Sequence, residues 1–414
     1  MEQLRHIDIA VVGGGAAGMV SAIAAANNRK RVVVFEKGPK LGRKILISGN
    51  GRCNVTNIDA DSIDHYHSTD SDFIQGVIQK FSLDETISFF ADLGIELVKE
   101  KRGRLFPRSN QAHSIVEVLK DRLKQQNVEI ILNCTIKSVE KDRDKFLLKN
   151  DEKRLFVAKN VILASGGITA EKVGGNKSGI EIASELGHDI STLLPGLVPL
   201  KSPLRYLKRM RGVKTVALVK VKSAKGKKTA EDCDDLFFAD YGVSGFTILN
   251  LSAQIVPMLK NGNVQLEVNF FPDKTSRELF DILRKRWACN PHRTLEESFL
   301  GLLNSKLTEV LIEESGFDGD KIVGEIDDKE CKNICNSLTK WNIPVNEPRG
   351  VDYAEVMIGG VRTHSINPQT LESYVCPGLY FCGEIIDVHG DLGGYNFQWA
   401  WASGTLAGKS LHCI

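Results

Sequence analysis

The first part of the chain alternates between short apolar runs and an Ala-rich segment. Ile7 to Val12 and Val32 to Phe35 are apolar runs of strand length, and Met19 to Asn28 between them is rich in Ala. Short apolar runs favour buried strands and Ala favours helix, so the pattern predicts a β-α-β unit.

Further elements follow the same logic. Helical periodicity is present at Phe81 to Leu93 and at His113 to Gln125, and strand patterns follow at Glu129 to Leu132, Lys145 to Lys149 and Val161 to Ala164. Helices and strands that alternate along a chain are typical of an α/β domain.

The pattern changes after Leu193. Short alternating segments such as Val216 to Lys222 and Val264 to Phe270 predict a β-rich insert with a barrel-like arrangement. Ser276 to Phe317 has helical periodicity, and capping boxes at Thr275/Glu278 and Thr294/Glu297 predict where its helices begin. The last forty residues return to strand, Gly-rich turn and helix.

Composition narrows the functional classes. The 414 residues include 54 Lys and Arg against 52 Asp and Glu, a formal net charge of +2, so no nucleic-acid partner is expected. No apolar run has the length of a membrane span and no signal-peptide pattern opens the chain, so no membrane association is expected. The 9 cysteines are scattered singly, which predicts reduced thiols and a cytoplasmic location.

A glycine fingerprint follows the first strand. Gly13, Gly15 and Gly18 match G-x-G-x-x-G: the first permits a tight turn, the second lets backbone approach a pyrophosphate, and the third lets helix and strand pack closely. Ala16 and Ala17 open the helix, where free N–H groups favour an anion. The spacing predicts a dinucleotide-binding site.

The segment after the second strand favours FAD over NAD. Glu36 ends that strand, roughly 20 positions after the glycines, where an acid accepts hydrogen bonds from ribose hydroxyls. Lys37 then opens a Gly-rich, basic loop that extends to Asn57. Such a loop can follow a long, extended ligand. Its expected FAD contacts are Arg43, Lys44, Ser48 and Gly49.

The C-terminal segment supports the same cofactor. Gly383 and Glu384 end a strand in a position suited to ribitol or phosphate. The helix that opens with Gly394, Tyr395, Asn396 and Phe397 is predicted to direct its N-terminus at the flavin pyrimidine, with Asn396 as an added donor. The alternative is a C-terminal helix that only packs.

Several longer motifs together resemble one family. They are Gly42–Lys44 with Ser48–Asn57, Gly103–Pro107, Leu197–Leu200, Gly359–Val361, and Gly383 to Asn396 with Gln398. On these motifs, over nearly the whole chain, the protein resembles the YhiN/BaiN-type flavoproteins, also called the aminoacetone oxidase family.

The resemblance implies an α/β fold: a Rossmann-like FAD-binding domain with an inserted β-barrel-like domain and a small helical domain. We assign residues 1–192 and 351–414 to the FAD-binding domain, 193–274 and 336–350 to the β-rich insert, and 275–335 to the helical insert. Ile136, Ser165 and Gly166 join the expected FAD contacts. Asp240 and Phe246 depart from the commoner family pattern in the insert expected to contact substrate, which leaves the substrate open.

Candidate catalytic residues are few. Arg52 could position a substrate oxygen or form a structural salt bridge, and Cys53 could approach the flavin, although a packing role is preferred. Asp387 and His389 are candidate proton donors. His65 and His67 flank Tyr66 without further ligands at metal-site spacing, so no metal site is predicted.

The expected activity is hydride exchange between flavin N5 and a small organic substrate. We favour an NAD(P)H-dependent reductase of activated C=C bonds, of the bile-acid or steroid-enone kind. The alternatives are an oxygen-dependent amine or aminoketone oxidase and, in another class, a non-catalytic flavin-binding interaction protein. The sequence leaves the oligomeric state open.

Overall fold

The computed structural model describes residues 5–26, 30–223 and 228–411, and it divides the chain into two compact units. The first unit contains Met1–Leu194 and Glu355–Ile414, and the second contains Pro195–Ala354. The last two residues of the predicted helix Met19 to Asn28 lie outside the described residues.

The first unit begins with a series of helices and short strands. In chain order they are β1 (Arg5–Val12), α1 (Ala16–Ala25), β2 (Val32–Phe35), α2 (Arg43–Gly51), β3 (Thr56–Asn57), β4 (Tyr66–His67), α3 (Ser71–Ile78), α4 (Leu83–Asp92), β5 (Leu97–Lys99), β6 (Arg104–Pro107), α5 (Ala112–Gln125), β7 (Glu129–Ile131), β8 (Ile136–Asp142), β9 (Lys145–Asn150), β10 (Leu155–Leu163) and α6 (Ser178–Glu185).

The chain then passes through the second unit. Strand β11 (Leu194–Gly196) spans the boundary and is followed by β12 (Leu200–Lys201), β13 (Lys214–Lys222), β14 (Lys228–Ala239), β15 (Gly242–Ser244), α7 (Phe246–Met258), β16 (Val264–Asn269), α8 (Ser276–Cys289), α9 (Leu295–Ser298), α10 (Ser305–Glu314), α11 (Asp328–Thr339), β17 (Trp341–Val345) and β18 (Glu347–Pro348). The first unit resumes with β19 (Val356–Ile358), β20 (Leu379–Phe381), β21 (His389–Gly390) and α12 (Tyr395–Ser410).

The main sheet of the first unit is parallel at its centre. Its order is β7-β2-β1-β10-β9-β8, and β20 pairs with β10. The pairs of β1 with β2 and β10, of β2 with β7 and of β10 with β20 are parallel, and β8 and β9 form an antiparallel extension. All four residues of β2 are buried, as a strand covered on both faces requires.

Helices α1 and α12 pack closely against each other. A Cβ on Gly404 would lie 2.5 Å from the Ala17 carbonyl oxygen, and one on Gly408 would lie 2.3 Å from that of Ser21. Glycines on α12 therefore let the two backbones approach, which fixes the C-terminal helix beside the helix that follows the fingerprint.

The second unit contains an antiparallel sheet and a set of helices. The sheet has the order β17-β16-β13-β14-β15-β12-β18. The capping boxes predicted at Thr275/Glu278 and Thr294/Glu297 are both formed, at the starts of α8 and α9. The α/β fold class with an inserted β-rich and helical region is thus confirmed. None of the helices in the described ranges has both the length and the apolar character needed to span a bilayer.

Candidate functional site

The three glycines of the fingerprint meet different surroundings. Gly13 has φ +113°, and a Cβ there would lie 2.4 Å from the carbonyl oxygen of Ala164. A Cβ on Gly18 would lie 1.9 Å from the carbonyl oxygen of Gly13, whereas one on Gly15 would have nothing within 4 Å. Gly13 and Gly18 therefore serve turn and packing, while Gly15 borders open space, as a pyrophosphate requires.

The start of α1 provides donors to that space. The first helical hydrogen bond that the structure describes there runs from the Met19 N–H to the Gly15 carbonyl oxygen at 3.0 Å. The N–H groups of Ala16, Ala17 and Gly18 precede it and have no described acceptor within the ranges that the structure covers. Unpaired N–H groups at a helix N-terminus attract an anion, so this end of α1 fits a diphosphate.

Glu36 is held rigidly at the end of β2. Its Oε2 accepts a hydrogen bond from the Gly14 N–H at 2.8 Å and its Oε1 accepts one from the Gly38 N–H at 2.7 Å. The segment before Ile136 runs beside it, since the Cys134 N–H donates to the Glu36 carbonyl oxygen at 3.0 Å. The carboxylate keeps lone pairs for ribose hydroxyls, and Ile136 itself is buried at the start of β8.

The basic loop predicted after Lys37 contains a short helix. Helix α2 begins after Gly42, whose φ is +67°, and its regular geometry is interrupted at Ser48, Gly49 and Asn50. The Ser48 hydroxyl donates to the Ile45 carbonyl oxygen at 2.7 Å, so it is already engaged within the helix. The Gly49 interruption exposes backbone rather than side chains.

Two cations of this loop contact carbonyl oxygens of the first unit. The Lys37 ammonium lies 3.5 Å from the carbonyl oxygen of Gly175, and the loss of solvent lowers the pKa of Lys37. Arg43 donates to the carbonyl oxygen of Lys172. The two side chains therefore bind the segment that follows β10 to the loop.

Lys44 and Glu384 form the centre of a polar network. The Lys44 ammonium lies 2.8 Å from Glu384 Oε2 and 3.2 Å from the Thr169 hydroxyl, and the Met357 N–H donates to Glu384 Oε1 at 2.7 Å. A Cβ on Gly166 would lie 3.6 Å from Glu384 Oε2. Thr169 and Met357 give no signal in the sequence because neither belongs to a motif.

This network lies beside the start of α1. Gly383 has φ +76°, and a Cβ there would lie 2.8 Å from the Cβ of Ala17. The hydroxyl of Ser165, one residue before Gly166, is buried without a described partner. The structure thus places the predicted contacts of three distant segments around one helix N-terminus.

A second carboxyl group lies close to Lys44. Glu355 is exposed, and its carboxyl group lies within the electrostatic range of the Lys44 ammonium. A lone Glu outside any motif gives no sequence signal for this position.

The C-terminal helix begins where the sequence predicts. Gly394 has φ +111°, and a Cβ there would lie 2.6 Å from the Thr56 carbonyl oxygen, so this glycine permits a close backbone contact. Tyr395 opens α12, and Phe397 stacks on Trp401 at 5.5 Å between ring centroids.

The Asn396 side chain contacts the 390–391 turn. Its Oδ1 accepts a hydrogen bond from the Gly390 N–H at 2.8 Å, and its Nδ2 donates to the carbonyl oxygens of Gly390 at 2.8 Å and Asp391 at 3.2 Å. Both amide protons are used, so the side chain holds the 390–391 turn against α12. The contact of Asn396 with the flavin pyrimidine stays a prediction.

Arg52 and Cys53 have structural surroundings. Arg52 forms a salt bridge with Glu100 at 2.7 Å and lies 4.2 Å from the ring centroid of Phe106. Cys53 is buried with φ +62°, and burial raises the pKa of its thiol to about 12. These contacts fit the salt-bridge alternative for Arg52 and the packing alternative for Cys53.

A cluster of three histidines and one carboxylate surrounds the β21 turn. His65 Nδ1 lies 3.0 Å from Asp391 Oδ2, and His67 Nε2 lies 2.7 Å from Asp391 Oδ1. His389 is buried beside His67, with ring centroids 5.2 Å apart, and neither of its ring nitrogens has a described partner. Burial lowers the pKa of His389 to about 4.

Asp387 lies on the same segment, and only its backbone N–H has a described hydrogen bond, to the Val361 carbonyl oxygen. Asp391 was not singled out from the sequence, because nothing along the chain connects it to the 65–67 segment. Within the described residues, no group of three or more His, Cys, Asp or Glu side chains is arranged to hold a metal ion.

A family model and several named proteins match nearly the whole chain. A family model described as HI0933-like protein Rossmann domain matches residues 7–410. The 3-dehydro-bile acid delta(4,6)-reductase of Clostridium scindens is 35% identical over 97% of this chain and 98% of its own length. Two proteins named ribosomal RNA dihydrouridine synthase, from Haemophilus influenzae and Escherichia coli, are 32% and 30% identical over at least 97% of each chain.

Solved structures support the fold alone. The 3-ketosteroid delta1-dehydrogenase of Sterolibacterium denitrificans aligns with a TM-score of 0.53 at 13% identity, over 99% of this chain and 100% of that one. At this identity the likeness carries no residue roles.

Proposed function

Since this chain belongs to the HI0933-like Rossmann family, we propose that it is an FAD-dependent oxidoreductase that reduces a C=C bond conjugated to a carbonyl group. The family and the site geometry support the flavoenzyme class. The bond reduced and the hydride donor are the new part of the proposal.

The observation that carries the bond type is what the named relatives have in common. A delta(4,6)-reductase of a 3-dehydro bile acid acts on double bonds conjugated with a ring ketone. A dihydrouridine synthase saturates the uracil C5=C6 bond, which is conjugated with the C4 carbonyl. In both substrates hydride adds to a double-bond carbon that is not attached to the carbonyl group, because conjugation then moves the negative charge onto the carbonyl oxygen.

The residues of this chain bind and orient the cofactor. The N-terminus of α1 and the open space at Gly15 would hold the diphosphate, Glu36 the adenosine ribose, and the Glu384 segment the ribityl side. The N-terminus of α12 would stabilise negative charge on the ring. When bound, FAD supplies two-electron hydride chemistry.

NAD(P)H is the proposed donor. The chain contains one G-x-G-x-x-G motif between a strand and a helix, and FAD accounts for it. A nicotinamide nucleotide would therefore bind without a second Rossmann site of this kind.

A small conjugated ketone is the favoured substrate. Residues 201–228 contain eleven Lys and Arg and no Asp or Glu, which alone would indicate a polyanion partner. In the second unit, however, Arg209 binds Glu309 and Glu313, Lys214 binds Asp235, and Lys222 binds Glu267. Much of this basic charge is therefore already neutralised.

A uridine in RNA is the second candidate, supported by the two dihydrouridine synthases at 32% and 30% identity. Arg205 and Lys208 are exposed and have no ion pair among the described residues, so they are available to phosphates. The half-exposed ring of Tyr353, which is 3.7 Å from the Arg349 guanidinium, is an aromatic surface on which a base could stack.

Anaerobic stopped-flow mixing tests the proposal. We expect NADH or NADPH to reduce the flavin of the holoenzyme, which is seen as a rapid loss of flavin absorbance. Reduced enzyme is then mixed with a 3-oxo-Δ4,6 steroid acid, or with unmodified ribosomal RNA transcript. Faster reoxidation by the steroid supports the ketone, and faster reoxidation by RNA supports the second candidate. Bleaching by aminoketones alone, with peroxide formed in air, would overturn the reductase in favour of an oxidase.

A further inference from the structure

The His389 ring is a buried polar group of the first unit whose two nitrogens both lack a described hydrogen-bond partner. It is 8% exposed. Buried polar groups are nearly always paired, because a buried donor or acceptor without a hydrogen bond is destabilising. A ring kept in this state indicates a function that packing does not explain.

The neighbours of His389 suit a group that changes its charge. On its own loop, Asp391 provides a negative charge that favours the protonated ring, while His67 on β4 opposes it. The elements packed against β21 bring two further titratable groups, Tyr66 on β4 and Tyr395 on α12, whereas β19 has only apolar residues. Asp391 keeps its negative charge because hydrogen bonds from His67 and His65 outweigh burial and lower its pKa.

His67 connects this buried ring to solvent. Its side chain is 40% exposed, and its ring is adjacent to that of His389, with centroids 5.2 Å apart and planes inclined by 39°. Asp391 orients His67 through the 2.7 Å contact. The described contacts include no hydrogen bond between the two rings, so passage of a proton from water through His67 to His389 requires the rings to move into hydrogen-bond range.

His389 is also held next to the N-terminus of α12. The Asn396 side chain, in the first turn of that helix, binds both backbone groups of Gly390. His65 stacks on Tyr395 with ring centroids 4.2 Å apart and planes inclined by 20°. Negative charge that develops at this helix terminus should therefore raise the pKa of His389.

We propose that His389 takes up one proton from solvent, through His67, when negative charge arrives at the bound flavin, and that Asp391 positions both rings for this step. The inference rests on the proposed flavin chemistry. A nicotinamide donor delivers two electrons and one proton as hydride, and His389 stores the second proton. Reduction of a C=C bond consumes one hydride and one proton, so His389 returns to its neutral form in each cycle.

The flavin midpoint potential as a function of pH tests this step. Each proton taken up per two electrons steepens the pH dependence by about 30 mV per pH unit, since tenfold in equilibrium is 29.6 mV for a two-electron couple. We expect His389→Asn to have a shallower slope than the unmodified holoenzyme between pH 6 and 8, by up to that amount. His113→Asn, a change at an exposed histidine on α5, is the matched control and should keep the original slope.

Equal slopes in the unmodified protein and His389→Asn, with FAD bound in both, would overturn the inference and leave the proposed function intact. If His389→Asn does not retain FAD, Asp391→Asn decides. Loss of the negative charge of Asp391 should move the steep region of the plot of flavin midpoint potential against pH to lower pH. An unchanged plot would contradict the proposal. Failure of the unmodified protein to bind FAD would instead overturn the proposed function.

Discussion

The Lys44 ammonium donates to both carboxylate oxygens of Glu384, at 3.1 and 2.8 Å, although the two residues are 340 positions apart. This ion pair joins the loop after β2 to the segment after β20. It places the N- and C-terminal parts of the first unit around the start of α1.

Replacement of Lys44 by Met should weaken FAD retention more than it weakens the fold. Lys44 is 36% exposed, so loss of the ion pair should cost about 1 kcal/mol of stability or less. Glu384 would then lack its cationic partner beside the bound cofactor. Thermal unfolding of the apoprotein and FAD titration separate the two effects, and Lys40→Met, at an exposed lysine of the same loop, is the control. Equal FAD affinity in all three proteins would show that the ion pair is only structural.

Gly15→Val should abolish FAD binding without unfolding the protein. Gly15 has φ −82°, and a Cβ added there would meet open space, so the apoprotein accepts a larger side chain, which then fills the diphosphate position. Gly15→Ala should have an intermediate effect. Absorbance of flavin in the purified variants and their circular dichroism provide the measurement. A yellow, fully loaded Gly15→Val protein would contradict the assignment.

Asn396→Ala should keep FAD but destabilise the 390–391 turn. The side chain loses three hydrogen bonds and leaves the Gly390 backbone groups without them, so we expect a cost of about 1–3 kcal/mol. Urea unfolding measures this cost. Asn396→Asp keeps the acceptor for the Gly390 N–H. Its free energy of unfolding should therefore lie between those of the unmodified protein and Asn396→Ala. If stability is unchanged while the flavin potential falls, the side chain contacts the flavin after all.

Acid should destabilise the protein through His389. Its pKa in the folded protein is about 4, below the ordinary value of 6.5, so the unfolded chain binds the proton more readily. The contribution of the neutral ring is complete above pH 6.5 and is lost as the pH falls toward 4. The free energy of unfolding of the apoprotein should therefore fall less steeply over this range in His389→Asn. Parallel curves for the two proteins would show that the ring is not held neutral.

Contacts between residues close together in the chain could be predicted from the sequence, whereas contacts between distant residues could not. Gly13, Gly15 and Gly18 are separated by a few positions, so their turn, open space and close packing follow from spacing alone. Lys44 and Glu384 were each predicted to contact FAD, but their contact with each other arises only when β20 pairs with β10.

The contacts of Asn396 could not be read from the sequence for a related reason. A polar residue after two glycines at a helix start suits either a ligand donor or a turn contact, and the choice depends on where Gly390 and Asp391 fold back. The His65, His67 and Asp391 contacts likewise require the pairing of β4 with β21, which no local pattern indicates.

A single-turnover titration tests the central proposal most directly. FAD-loaded protein is reduced without oxygen, freed from excess donor, and titrated with a 3-oxo-Δ4,6 steroid acid while flavin absorbance and product mass are recorded. We predict full recovery of the oxidised flavin spectrum, with one product molecule, two hydrogens heavier, for each FAD. A flavin that stays reduced in the presence of both this ketone and uridine-containing RNA would contradict the proposal.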